Sequence, residues 1–249
     1  RKRPIKAIID EIELLHKEYG VNYFSFMDDQ MTLNRASTIE LCNEMIKRKL
    51  KIVWDTPNGL WINSLREDVI AKMAEAGLAR ASMAVEHGDD YIRNKIIGKL
   101  LDRDKCIEVA DLLKQYKIMS HGQFIMGFPE DTNETLQNSY DFINEIQLDK
   151  VGVGTLVPFP ETKLYEQVVK ENLWIIEPNY DELWKKPVSQ GQGDFIIKPH
   201  NMTIEDLYYW RRKFDEIQVK YWKTNPNPAN YGRGLDITKD KVVPRFIHE

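Results

Sequence analysis

The sequence predicts an α/β protein: a partial parallel (β/α) barrel of about five strands over residues 1–173, then a helical and irregular C-terminal extension over residues 174–249. Three observations predict it. Amphipathic helical segments alternate with short apolar runs at even spacing, which calls for parallel strands joined by crossover helices. The runs are apolar on consecutive residues, as in strands buried on both faces. With 249 residues, 42% of them hydrophobic, the chain can bury a sizeable core.

The elements follow in order. Ile5, Ile8, Ile9, Ile12 and Leu15 carry the spacing of an amphipathic helix. Gly20 stops it, because glycine adopts a left-handed backbone at little cost. Val21 to Met27 reads as the first strand. Asn34 to Lys49 is the next helix, with Ser37-x-x-Glu40 as a capping box. Ile52-Val53-Trp54 is the second strand; Ser64-x-x-Glu67 caps the helix after it, and Gly77 ends that helix. Ala81 to Val85 is the third strand, Asp104 to Tyr116 a helix, and Met119 to Met126 the fourth strand. Asp131 or Thr132 caps the following helix, and Val151 to Val157 is the fifth strand. Trp174 to His200 has no clear period. Thr203-x-x-Asp206 caps an aromatic helix running to about Trp222, and Asn225 to Glu249 reads as an extended tail.

Composition excludes several classes. Charged residues are 30% of the chain and the net charge is −4, so neither nucleic acid nor an anionic membrane is indicated as a partner. The opening Arg1-Lys2-Arg3 reads as a solvated end. Apolar runs are broken by charge well before the roughly 20 residues that a membrane helix needs, and no signal peptide is visible. Cys42 and Cys106 are far apart. They predict neither a disulfide framework nor a metal site built from this chain, but two free thiols in a reducing cytoplasm. The chain begins at Arg rather than Met and reads as an excerpt of a longer product.

In parallel barrels ligands bind where the strands end. The informative residues are therefore Asp28, Asp29 and Gln30; Thr56 to Gly59; Glu86, His87 and Gly88; Gly127 to Asp131; and Pro158 to Thr162. Four of these five ends carry a carboxylate. Helix starts favour negative charge, so some of these are caps, but four on one rim suit a cationic ligand that also carries hydroxyls. There is no Ser–His–Asp order and no paired histidine for zinc; His87 and His121 read as hydrogen-bonded core or rim residues. No Gly-x-Gly-x-x-Gly follows a strand.

At these strand ends the sequence resembles the radical S-adenosylmethionine superfamily, and is most similar to the branch often fused to a cobalamin-binding domain. The segments that carry the resemblance are Phe26-Met27-Asp28-Asp29, Pro57-Asn58-Gly59-Leu60, Ala84-Val85-Glu86-His87-Gly88, Gln123 to Glu130, and Pro158-Phe159-Pro160-Glu161-Thr162. It covers about residues 1–173. The resemblance implies a barrel of that superfamily's type, with about five of its six strands present. It assigns Asp28 and Asp29, in place of the common Gly-Gly-Glu, to the ammonium group of S-adenosylmethionine. Glu86 falls to the ribose hydroxyls and Lys99 to the cofactor carboxylate. Gln123, Ile125, Gly127 and Glu130 match the segment that supports the adenine, with Ile125 structural; Val157 and Pro158 border the adenine.

The family's cysteine triad for a [4Fe–4S] cluster has no counterpart in the chain and is expected upstream of residue 1, so the chain itself supplies no metal ligand. The implied activity of the intact enzyme is reductive cleavage of S-adenosylmethionine to a 5′-deoxyadenosyl radical, leading to methyl transfer or ring closure. Cobalamin is a further cofactor where such a domain precedes. The implied partners are a small-molecule substrate and a one-electron reductant such as flavodoxin or ferredoxin. A fragment without the triad, and with one strand missing at an open edge, is expected to be inactive. Two other functions compete: a non-radical barrel lyase, which needs a Schiff-base lysine or a metal triad that the rim lacks, and a non-catalytic scaffold module.

Overall fold

Five parallel strands form one sheet in the order β1-β2-β3-β4-β5, with helices between successive strands. This computed structural model describes residues 3–176, 179–180 and 195–224, of which 219–224 only as backbone. The predicted tail at Asn225–Glu249, and residues 177–178 and 181–194 of the stretch read as irregular, lie outside the described residues.

Helix α1 (Ile5–Tyr19) buries Ile9 and Ile12 and ends at Gly20, whose φ of 68° confirms the left-handed stop. Strand β1 (Tyr23–Ser25) is shorter than the seven-residue run predicted. Helix α2 (Arg35–Lys47) is capped by Asn34, whose side chain accepts from the Ser37 backbone, and not by a Ser37–Glu40 box.

Strand β2 (Val53–Leu60) runs six residues past its predicted end at Trp54, and takes in Thr56 to Gly59, which the sequence places in a loop. Pairing in parallel with β3 (Leu78–Glu86), it slips register twice, between Trp54 and Asp55 and between Thr56 and Leu60. Such irregularities admit Pro57 and Gly59 into a strand. Strand β3 also begins earlier than predicted, because Arg80 sits inside it rather than before it.

Helix α3 (Glu67–Glu75) has no side-chain cap, so Ser64 does not start it; Ser64 belongs to a 3-10 turn, Ile62–Ser64. Gly77 ends this helix with φ of 101°, and a Cβ there would lie 2.3 Å from the Ile52 carbonyl oxygen. Beyond β3 come a π-helical turn (Ile92–Ile96), α4 (Arg103–Gln115) and β4 (Met119–Met126). Helix α5 (Asn133–Ile146) starts on a capping box of Thr132 and Thr135. Strand β5 (Lys150–Thr155), α6 (Lys163–Lys170) and α7 (Ile204–Thr224) complete the described chain. The Thr203–Asp206 box that starts α7 is formed: each backbone N–H donates to the other's side chain, at 2.8 and 3.1 Å.

Two compact units divide the chain. The first holds Arg1–Met83 and Ile107–His121, the second Ala84–Cys106 and Gly122–Thr224. In the first, Ile52, Trp54, Leu65, Met73 and Leu113 are fully buried; in the second, Val85, Ile92, Leu136, Phe142 and Phe214 are. No helix among the described residues is long and apolar enough to cross a membrane.

Candidate functional site

In the first unit, β1 delivers Asp28 and Asp29 into an exposed loop. The loop is held by the Phe26 N–H on the Asp55 carbonyl at 2.9 Å and by the Asn58 amide on the Met27 carbonyl at 2.8 Å. Phe26 packs edge-on against Trp54, with ring centroids 5.0 Å apart. Asp28 lines a largely apolar cavity of about 590 Å3 between α1 and α2, together with Ile5, Ile12, Phe24, Phe26 and Leu41.

A polar stripe crosses three strands of this unit. Asp55 is fully buried, accepts the Ser25 hydroxyl at 2.6 Å, and pairs with Arg80. Burial and the neighbouring Asp55 carboxylate push the Tyr23 phenol well above its usual range. The Thr56 hydroxyl and the Arg80 Nε are buried without a partner among the described residues. Neither Asp55 nor Arg80 stands out in the sequence as a site residue. A charge inside each of two apolar runs was the available signal, since such charges persist only when paired.

The second unit holds the other predicted site residues. Glu86 ends β3 in a left-handed backbone, φ 70°, and its carboxylate meets the Lys99 ammonium at 2.7 Å. His87, next in sequence, is fully buried. Its Nδ1 accepts the Asp89 backbone N–H at 3.1 Å, which leaves the ring proton on Nε2, facing Asp131 at 3.1 Å. The Ser139 hydroxyl lies 3.1 Å from Nδ1 and accepts the Gly88 N–H at 2.9 Å. Ser139, His87 and Asp131 thus touch in the manner of a hydrolytic triad, although all three are buried, which denies a substrate access to the serine.

Asp131, predicted as a rim carboxylate or a helix cap, is neither. Its carboxylate accepts the Gly127 and Phe128 N–H groups at 2.8 and 2.9 Å and the Thr135 hydroxyl at 2.9 Å. It fixes the turn after β4, in which Gly127 takes φ 97°. Gln123 is half-buried on β4. Val157 lies beyond the end of β5, not in it as predicted, and Pro158 follows the strand as the sequence places it; Val157 is half-buried against the cluster of Val168, Leu173, Ile196 and Ile197. The Pro158 carbonyl accepts the Tyr180 hydroxyl at 2.7 Å. Glu130 gives one oxygen to the Gln167 amide at 2.9 Å, while its other oxygen and the Thr155 hydroxyl are buried without a partner among the described residues.

The donor set discriminates between the cofactors that the resemblance implies. Burial pushes the Cys42 thiol up to about 12 and the Cys106 thiol up to about 11, so neither offers a thiolate. Among the described residues no three His, Cys, Asp or Glu side chains are grouped to hold a metal ion. An iron–sulfur cluster therefore does not fit these residues. S-adenosylmethionine does. A carboxylate has about four acceptor positions; Lys99 occupies one on Glu86, which leaves others for vicinal hydroxyls. The orphaned Thr155 and Glu130 oxygens offer further polar contacts in the same unit.

Comparison with known proteins gives the family and the fold. The model of the Radical SAM superfamily matches residues 1–143. An uncharacterized methyltransferase of Pyrococcus horikoshii is 28% identical over 213 residues, covering 86% of this chain and 44% of that protein. The anaerobic magnesium-protoporphyrin IX monomethyl ester cyclase of Cereibacter sphaeroides is 30% identical over 170 residues, 68% of this chain and 28% of that one. The chain spans less than half the length of these relatives. The structure of the radical S-adenosylmethionine methyltransferase TsrM from Kitasatospora setae, with cobalamin and a [4Fe–4S] cluster bound, superposes with a TM-score of 0.62. The identity is 17%, over 87% of this chain and 42% of that one, and the likeness is one of fold.

Proposed function

Because the chain belongs to the radical SAM superfamily, we propose that it is the S-adenosylmethionine-binding core of a radical enzyme that transfers a methyl group to a small-molecule substrate. The observation that carries the site is the Glu86–Lys99 pair, a carboxylate and an ammonium joined at 2.7 Å where β3 ends. S-adenosylmethionine, when bound, supplies radical chemistry at an unactivated carbon. The residues of this chain bind and orient it, and exclude water.

In the second unit Glu86 takes the ribose hydroxyls and Lys99 the carboxylate of the cofactor. Gly127, Gln123, Val157 and Pro158 border the adenine. In the first unit Asp28 and Asp29 are assigned to the ammonium group, for which exposed carboxylates carry the right charge. The cofactor core runs through residue 173, and the aromatic residues of the extension serve the substrate. The [4Fe–4S] cluster of the superfamily takes its ligands from outside the described residues; cobalamin and a flavodoxin or ferredoxin reductant complete the active enzyme. A reducing cytoplasm suits this chemistry and two free thiols.

Methyl transfer is preferred to ring closure because the methyltransferase relative aligns with 86% of this chain and the cyclase with 68%. The test uses the full-length protein, reconstituted anaerobically with iron and sulfide. A brown protein that passes deuterium from methyl-labelled S-adenosylmethionine into a product supports the proposal. A colourless protein, or turnover without methyl label in product, refutes the radical or the methyl-transfer assignment respectively. Glu86→Ala should weaken cofactor binding by about tenfold, the cost of a charged hydrogen bond; unchanged affinity removes the ribose assignment.

A further inference from the structure

We infer that Arg93 is a positioning residue for the Glu86–Lys99 pair, and that it acts by clamping the backbone beside each member. The inference rests on the assignment of that pair to S-adenosylmethionine.

Arg93 lies in the π-helical turn Ile92–Ile96, and its side chain is fully buried. A buried guanidinium persists only if its donors are satisfied. Nη1 donates to the His87 carbonyl at 3.0 Å and the Gly88 carbonyl at 3.1 Å, the two residues that follow Glu86. Nε donates to the Leu101 carbonyl at 2.8 Å, and Nη2 pairs with Asp90. The Arg93 carbonyl itself accepts the Lys99 backbone N–H at 3.0 Å. One residue therefore holds the chain just after Glu86 and the chain at and just after Lys99.

Packing anchors the Lys99 loop at Leu101, which is buried, and not at its two turns. Gly98 has no atom within 4 Å of where a Cβ would stand, and Leu100 is 78% exposed. Both take left-handed backbone, φ 77° and 49°. A loop that turns twice this way without burying a side chain at either turn is held by its hydrogen bonds. Asn94 adds two, both to Leu101, and among the described residues reaches nothing on the Glu86 side. A guanidinium suits the task because its planar fork serves three carbonyls in fixed directions; an ammonium on a flexible stem does not. A buried charge is also a poor choice for stability alone, since apolar replacements of buried ion pairs are often neutral or stabilising.

The test titrates the anaerobic full-length protein with S-adenosylmethionine and with 5′-methylthioadenosine, which keeps the adenine and ribose and lacks the amino acid. Arg93→Lys should raise the Kd for S-adenosylmethionine by about tenfold, and that for methylthioadenosine by clearly less, since only Lys99 reads the missing carboxylate. In a Lys99→Ala background, Arg93→Lys should cost clearly less than in the parent, because only the Glu86 arm of the clamp is left to lose. A merely structural arginine would weaken both nucleosides by one factor and would multiply with Lys99→Ala; either outcome overturns the inference. If Arg93→Lys does not fold, Asp90→Asn perturbs the clamp from an exposed position. The same selective loss is expected, and an unchanged ratio of the two affinities overturns the inference. Glu86→Ala and Lys99→Ala alone report on the cofactor assignment: if neither changes affinity, assignment and inference both fall. If both do and Arg93→Lys does not, only the positioning role is lost.

Discussion

His87 and Asp131 meet at 3.1 Å with both side chains fully buried, and the contact ties the end of β3 to the turn that precedes α5. The same carboxylate satisfies two backbone N–H groups and a hydroxyl. Asp131→Ala strands all of these at once. It should cost about 3–5 kcal/mol, the range for breaking a buried charged network by removing one partner. Asp131→Asn keeps an acceptor and should cost less. Urea denaturation of the variants against the parent measures both.

Glycine tolerance should split sharply by position. At Gly77 an added Cβ meets the backbone oxygen of Ile52 at 2.3 Å, and φ is already 101°. Gly77→Ala should therefore cost about 3 kcal/mol or more, strain and overpacking together. At Gly20 the space is open and only the left-handed backbone is penalised, so Gly20→Ala should cost about 1 kcal/mol. Equal losses in a denaturant series would contradict this packing.

The acid limb of stability should depend on Arg48. The Asp10 carboxyl is held below its usual range by Lys6 and then Arg48, and the Glu13 carboxyl by Lys17 and then Arg48. Arg48 reaches both at 2.7 Å from the end of α2. A carboxyl whose folded pKa is depressed stabilises the fold above its unfolded pKa, near 4, and loses that contribution as pH falls through the folded value. Arg48→Met should flatten the fall of stability between pH 5 and pH 3, and added salt should mimic part of the effect because the groups are exposed. A parent and variant with parallel pH profiles would refute it.

The thiols should be inert in the native chain. At pH 8 the thiolate fraction is about one in ten thousand for Cys42 and about one in a thousand for Cys106, and both are fully buried. An aromatic disulfide reagent should titrate neither until denaturant is added, and then both. Cys42→Ala and Cys106→Ala should leave the iron content of the reconstituted full-length protein unchanged; a loss of iron in either would make that cysteine a ligand.

Much of the fold is written in local pattern. Gly20 and Gly77 stop their helices as expected, Thr132 caps α5, and the apolar runs mark all five strands. Three of the departures share a cause: a polar residue reads locally as a boundary, and the fold supplies it a partner. Thr56 to Gly59 reads as a loop, yet Asp55 before it is paired with Arg80 and hydrogen-bonded by Ser25 across the sheet, and the register slips absorb Pro57 and Gly59. Arg80 looked like the edge of a strand and lies inside it. Asp131 looked like a solvent-facing carboxylate, but its partners are the backbone of its own turn and a histidine 44 positions earlier in the chain, a tertiary fact with no local signature. The role of Arg93 was illegible for the same reason, because three of its acceptors are carbonyls, which every residue carries.

The left-handed backbone at Glu86 has an evolutionary corollary. A side chain at φ 70° is held there at a cost of about 1–2 kcal/mol that glycine would not incur. Selection for thermal survival alone would drift this position toward glycine or asparagine, while selection for capture of the cofactor would keep the glutamate. A library randomised at residue 86 and sorted separately for heat tolerance and for nucleoside binding should diverge, and the divergence would show what the molecule gives up in robustness to keep that carboxylate in place.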